Sequence, residues 1–180
     1  MSQLLQVIWF LIPAGMANLV PPIAAKVLPA WTYPMDCNLT FRGQRLLGSH
    51  KTMRGLVSGV LLAFATHQLQ VFAAQQNNYF NDLAISPVYY ELWWLGPWIG
   101  FTALAGDALK SFIKRQLQIS PGRPWLPWDK IDWIIGTMAG CWFILQLSFT
   151  FVVIALITGL LLSTVGRIVG YWFHINKDWL

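Results

Sequence analysis

Gly106-Asp107-Ala108-Leu109-Lys110-Ser111-Phe112-Ile113-Lys114-Arg115-Gln116 and, four residues on, Pro121-Gly122-Arg123-Pro124-Trp125-Leu126-Pro127-Trp128-Asp129-Lys130-Ile131-Asp132 form the stretch that organises the rest of the chain. Residues 106 to 132 hold three of the seven acidic residues (Asp107, Asp129, Asp132) and five of the twelve basic ones (Lys110, Lys114, Arg115, Arg123, Lys130). An apolar run leads into this stretch and another leads out of it. The charge is therefore gathered at the exit of one hydrophobic segment and the entry of the next. Charge beside lipid is costly, so its concentration there points to function.

The composition puts those runs in a membrane. The chain has 180 residues, 56% of them hydrophobic and only 11% charged, well below the roughly 25% charge of a soluble domain. We read residues 1–180 as one transmembrane domain, an all-α polytopic membrane protein. Eleven Trp and five Tyr suit aromatic belts at the bilayer interfaces. A net charge of +5 does not require nucleic acid, because positive loops on the cytoplasmic side account for it. Met1-Ser2-Gln3-Leu4-Leu5-Gln6 lacks the basic start of a secretory signal, so the first apolar run is expected to be retained. Cys37 falls in a polar loop and Cys141 in an apolar run, which argues against a disulfide between them.

A hydrocarbon core about 30 Å thick takes roughly 20 apolar residues per helix. That length predicts five spans: 3–28, 56–75, 88–108, and two more from 131–173, which is too long for one helix and must fold back near Gln146 to Ser148. Five spans put residues 29–55, 109–130 and the C-terminus on one side of the membrane. Every Lys and Arg lies on or next to that side, so it is cytoplasmic, with the N-terminus outside. The opposite loop, Gln75 to Asp82, is polar without positive charge.

Span one contains Pro13, Gly15, Asn18, Pro21 and Pro22 and is expected to be bent or broken. Asn18 either bonds a neighbouring helix or lines a polar cavity with the freed backbone. Gly48-Ser49-His50-Lys51-Thr52-Met53-Arg54-Gly55 ends like a P-loop but has Arg45 and His50 where that motif requires glycine. Lys51 and Arg54 at the mouth of span two either hold phosphates or anchor a positive-inside loop.

If the helix of span three continues past 108, Asp107, Lys110, Ser111 and Lys114 share one face at i, i+3, i+4 and i+7. The Pro121–Pro127 segment cannot be helical and forms a loop near the membrane surface, with Trp125 and Trp128 as interfacial anchors. Asp129 and Asp132 then open span four; an N-cap with a helix-dipole partner accounts for one of them. Three carboxylates around one basic loop are what a magnesium-dependent nucleotide site requires. Magnesium takes one or two carboxylates plus substrate phosphates, and cations neutralise the remaining oxygens.

These residues resemble those of the CDP-archaeol synthases, membrane cytidylyltransferases related to the CDP-diacylglycerol synthases. The likeness rests on Gly106-Asp107-x-x-Lys110-Ser111-Phe112-x-Lys114-Arg115 and on Pro121-Gly122-x-Pro124-Trp125-x-Pro127-x-Asp129-x-x-Asp132. It extends to Ala17-Asn18-x-x-Pro21, to Gly48-x-x-Lys51-Thr52-x-Arg54-Gly55 and to the Trp179 end, with Met53 and Lys130 as departures. The resemblance implies CTP and a lipid phosphate as substrates, a CDP-lipid and pyrophosphate as products, and Mg2+ as cofactor. It assigns Asp107 and Asp132 to the metal, with Asp129 as a third ligand or behind them. Lys51, Lys114 and Arg115 would hold the phosphates, with Arg54 and Lys110 supporting them. Ser111 and Thr52 would bond phosphate oxygens or metal-bound water, and Asn18 would line the cavity. The favoured acceptor is 2,3-bis-O-geranylgeranylglycerol 1-phosphate or a similar ether lipid phosphate; phosphatidate, giving CDP-diacylglycerol, is the alternative.

Other classes fit the residues less well. A CDP-alcohol phosphotransferase needs Asp-x-x-Asp-Gly-x-x-Ala-Arg, whereas Trp133 follows Asp129-x-x-Asp132 here, with no downstream Asp pair. A small transporter or a membrane assembly subunit would use the broken first span and Asp107, but buried mid-span charges are lacking. His67, the one titratable group in mid-membrane, reads as a bonded packing residue. Oligomeric state is not legible.

Overall fold

The computed structural model describes residues 2–48, 50–120 and 123–172, the side chains of 167–171 excepted. Pro121, Gly122 and the Trp179 end lie outside the described residues. In order, the chain forms α1 (Gln3–Val27), a hairpin of β1 (Thr40–Phe41) and β2 (Gln44–Arg45), α2 (Met53–Gln76), the short α3 (Asn78–Asn81) and α4 (Val88–Glu91), α5 (Leu95–Gln116), α6 (Trp128–Leu145) and α7 (Phe149–Trp172).

α1 is the centre of the bundle and packs on each of the other four long helices. Its buried residues, Val7, Phe10, Leu11, Ala14 and Ala17, recur at three- and four-residue spacing along one side. The first four meet Tyr89, Leu95, Ile99, Ile134, Met138 and Phe151 in the main core, and Ala17 packs with Ala63 and Leu104 in a second cluster. Of the two outcomes expected for span one, bent or broken, the break does not occur: the helix runs through Pro13, Pro21 and Pro22 for 25 residues. Each proline removes a single donor, and helices in lipid tolerate this where neighbours cover the freed groups. Pro21 is covered by α2: a Cβ on Gly55 would lie 3.1 Å from Pro21 Cβ.

Two further expectations need correction. The fold is not purely helical, because the loop after α1 contains the β1–β2 hairpin. Arg42 and Gly43, at φ 51° and 76°, make the two-residue turn with both positions left-handed, the backbone a tight hairpin demands. Below the hairpin, buried Asp36 accepts hydrogen bonds from Arg45 Nη2 (2.7 Å) and from the amides of Leu47 and Asn38 (3.1 Å each). Burial pushes its carboxyl up, but those donors outweigh it, so the Asp36 pKa lies below the usual carboxylate value.

The span expected at 88–108 is two pieces. α4 ends at Glu91 and α5 starts afresh at Leu95, with Pro97 in its first turn where no amide donor is needed. α5 then continues past 108 to Gln116, as the shared face of Asp107 and Lys114 requires.

The fold-back between α6 and α7 falls at Gln146–Ser148, as expected. Gln146 is left-handed at φ 50°, and Ser148 Oγ accepts from the Phe151 amide at 3.2 Å, capping α7. Cys37 and Cys141 are both free thiols. Three helical segments, Gln3–Val27, Met53–Gln76 and Phe149–Gly166, are long and apolar enough to cross a membrane. The chain is a predominantly helical membrane protein.

Candidate active site

The site forms where α5 crosses α6, and glycine sets how closely they cross. A Cβ on Gly106 would run into the Asp132 carbonyl oxygen, and one on Gly136 into the Thr102 carbonyl oxygen. Only two bare backbones fit. Asp107 follows Gly106 in sequence, and Asp132 lies one turn before Gly136, so this crossing brings carboxylates from two helices together.

Lys110 joins them. Its Nζ lies 3.1 Å from Asp107 Oδ1, 3.1 Å from Asp129 Oδ1 and 2.7 Å from Asp132 Oδ2. Asp107 has a second partner, Lys51 Nζ, from the end of the loop that precedes α2. Asp129 is also held from other sides: buried Lys114 Nζ donates to both its oxygens at 3.1 Å, and the Trp125 amide donates to Oδ2 at 2.5 Å. Asp132 is 6% exposed. Its Oδ2 meets Lys110 Nζ and no other donor among the described residues. Asp129 is not the N-cap of α6; Pro127 takes that position, and Asp129 sits in the first turn.

The other predicted residues separate into two groups. Lys51, Lys110, Ser111 and Lys114 are at the cluster. Ser111 donates its hydroxyl to the Asp107 backbone carbonyl at 2.9 Å, leaving only its oxygen lone pairs for a ligand. Lys114 also donates to the Arg123 carbonyl at 2.7 Å and so fastens the Pro-rich loop. Arg115 donates to the Ile119 carbonyl and lies beside Gly48. Thr52 occupies the N-cap of α2 without a side-chain cap bond. Arg54 turns away from the carboxylates and donates to the carbonyls of Leu28 (2.8 Å) and Pro29 (3.3 Å), closing the end of α1.

Asn18 lines a cavity of about 470 Å³ between α1, α6 and α7. Ile8, Leu11, Ile12, Met16 and Leu162 make its walls apolar, and Asn18, Asp129 and Lys130 supply its polar end. Asp129 thus belongs to both the ionic cluster and the cavity.

A model of the CarS-like CDP-archaeol synthase family matches residues 1–180. The chain belongs to the CDP-archaeol synthase family. It is 28% identical over 173 residues to the CDP-archaeol synthase of Methanocaldococcus jannaschii, covering 96% of this chain and 94% of that one. To the CDP-archaeol synthase of Methanoregula boonei it is 31% identical over 176 residues, with 93% and 99% covered. A solved structure described as an intramembrane enzyme for archaeal membrane lipids biosynthesis superposes with a TM-score of 0.72 at 29% identity, covering 89% of this chain and 92% of the other. The resemblance read from the 106–132 stretch is thus established, and the protein is a membrane transferase of lipid biosynthesis.

In this CDP-archaeol synthase family member, the donor set suits a hard divalent cation: carboxylate oxygens only, one of them buried with Lys110 as its single partner among the described residues. Among the described residues, no group of three or more His, Cys, Asp or Glu forms a ready-made metal cage. His67, read above as a bonded packing residue, is buried with Nε2 2.9 Å from the Tyr89 carbonyl oxygen, in the core and away from the carboxylates.

Two features of the site escaped the sequence reading. Gly106 reads only as part of the motif and Gly136 not at all, although a glycine beside a charged motif residue is a usable signal. The link between α6 and α7, in which Ser163 Oγ accepts from Trp133 Nε1 at 3.1 Å and donates to the Lys130 carbonyl at 2.9 Å, had no sequence signature.

Proposed function

We propose that the protein transfers the cytidylyl group of CTP to a lipid phosphate at the α5–α6 crossing, giving a CDP-lipid and pyrophosphate. The observation that carries this reading is the single ammonium of Lys110 bridging carboxylates of two helices, with Lys51 and Lys114 beside it and an apolar cavity opening at Asp129. In the reaction an oxygen of the lipid phosphate bonds to the α-phosphorus of CTP, and the bond from that phosphorus to the bridging oxygen of the β-phosphate breaks. A phosphate monoester has a second pKa of about 6, so the acceptor is already an anion at neutral pH and needs no strong base. The barrier is the meeting of two anions. Positioning and charge neutralisation therefore carry the catalysis.

Asp107 and Asp132 would hold Mg2+ in this scheme, with Asp129 beside them. Bound Mg2+ supplies neutralisation of the phosphate charge at the reacting centre. Lys51, Lys114 and Arg115 attract the triphosphate and the lipid phosphate. Asn18 and Lys130 mark the polar end of the cavity, where the lipid headgroup would enter from the inner leaflet with its tails against α1 and α7. Thr52 and the Ser111 oxygen face the phosphates, and Arg54 shapes the loop that carries Lys51. We infer that α1, α2, α5, α6 and α7 all span the membrane, with the N-terminus outside and the site cytoplasmic. Charges at one end of α5 and α6 lower their mean hydropathy without shortening them. Residues 1–180 then act as one domain.

The acceptor is 2,3-bis-O-geranylgeranylglycerol 1-phosphate or a close ether lipid, in keeping with the family. Incubation with labelled CTP and a panel of ether and ester lipid phosphates, with products identified by mass, tests this reading. CDP-lipid from the ether substrate supports it, and preference for phosphatidate redirects it to CDP-diacylglycerol. Stabilisation of the purified protein by CTP with Mg2+, but not by ATP with Mg2+, separates an enzyme from a transporter or assembly subunit.

A further inference from the structure

We propose that the Lys110 ammonium is an exchangeable counter-ion: it and a divalent cation compete for the oxygens of Asp107, Asp129 and Asp132, so that entry of the cation moves Lys110 onto the substrate phosphates. The inference rests on the metal-site reading above and adds a role for a residue that does not itself bind the metal.

Three observations support it. First, the carboxylates differ in how they are held. Asp107 keeps Lys51, and Asp129 keeps Lys114 and the Trp125 amide, when Lys110 leaves. Asp132 has Lys110 as its one cationic partner among the described residues. Withdrawal of Lys110 would strand a buried carboxylate unless another cation took over.

Second, Lys110 is the one group that meets Asp132 Oδ2. Its Nζ lies 2.7 Å away, and no other donor among the described residues reaches that oxygen. A divalent ion at that oxygen therefore has a single ammonium to replace, and its higher charge favours the replacement.

Third, the cluster is balanced. Lys51, Lys110 and Lys114 face Asp107, Asp129 and Asp132, three cations against three anions. A divalent ion added alone leaves two positive charges in excess, so it binds weakly. Added with a nucleotide triphosphate, it is neutralised, and the released ammonium has phosphate oxygens to meet. Lysine suits this exchange, being a compact charge on a flexible four-carbon stem. The cluster therefore resists loading with metal alone and favours metal and nucleotide together.

The test uses the full-length protein in detergent without nucleotide and Mn2+ alone as the probe, with free Mn2+ followed by electron paramagnetic resonance. Removing one positive charge within about 3 Å of the ligands should tighten Mn2+ binding at least about tenfold in Lys110→Met. Lys110→Arg keeps the charge and should stay near wild type. The gain should vanish when Asp132→Asn is added to Lys110→Met. Lys110→Gln repeats the measurement should Met disturb the fold. Asp132-dependent Mn2+ binding in wild type with no gain in Lys110→Met and Lys110→Gln would overturn the exchange while leaving the metal assignment intact. Absence of any Asp132-dependent Mn2+ binding in wild type and variants would overturn the metal assignment and the exchange together.

Discussion

Gly106 and Gly136 lie backbone to backbone where α5 crosses α6, so close that a methyl on either would enter a carbonyl oxygen of the opposite helix. The catalytic carboxylates of the proposed site are neighbours of these glycines, so helix spacing and site geometry are one property. Gly106→Ala should force the helices apart at a cost of about 1–3 kcal/mol, typical of overpacking. Thermal unfolding and turnover should fall together; an unchanged melting temperature would contradict the packing.

Lys51 reaches Asp107 from outside the helix pair and ties the loop before α2 to α5. Its side chain is 24% exposed, so the fold should survive its loss. Lys51→Met should lower CTP turnover on the order of 10²-fold, the usual scale for losing one preorganised electrostatic donor. Steady-state kinetics with CTP varied will show it, and Lys51→Arg should recover part of the loss.

Arg54, in contrast, bonds the carbonyls of Leu28 and Pro29 at the end of α1. Arg54→Ala should lower the melting temperature and leave the KM for CTP within about threefold of wild type, since the lost partners are backbone carbonyls. A large KM increase at unchanged stability would put Arg54 at the phosphates after all.

Asp36 predicts a pH signature. Because Arg45 and two amides hold its pKa down in the folded state, its stabilising contribution is fully present above the unfolded carboxylate value, about 3.9, and is lost as the pH falls through the lower folded value. The melting-temperature gap between wild type and Asp36→Asn should therefore be constant from neutral pH down to about 5 and close below about 4. A gap independent of pH would show that the charge is not what holds the hairpin.

Much of this was legible in the sequence because it rests on periodicity and spacing. The i, i+3, i+4, i+7 pattern of Asp107, Lys110, Ser111 and Lys114 survives as one helical face. The apolar length after 131 required a turn, and Gln146 supplies it. What the sequence did not give was decided by tertiary contact. Proline chemistry argues for a bend or a break in α1, and neighbours on several sides keep the helix continuous. Arg54, expected to support Lys51 at the phosphates, is held by the carbonyls at the end of α1. Lys110 ranked below Lys114 in sequence, although only the crossing of two helices reveals that it faces all three carboxylates.

The central claim is that cytidylyl transfer takes place at the carboxylates gathered by Lys110. The most direct measurement is formation of CDP-lipid from labelled CTP and 2,3-bis-O-geranylgeranylglycerol 1-phosphate by wild type, Asp107→Asn and Asp132→Asn, each confirmed monodisperse in detergent. Wild type should form the product, and both variants should fall by at least about 10²-fold. Normal turnover in the two folded variants would contradict the account.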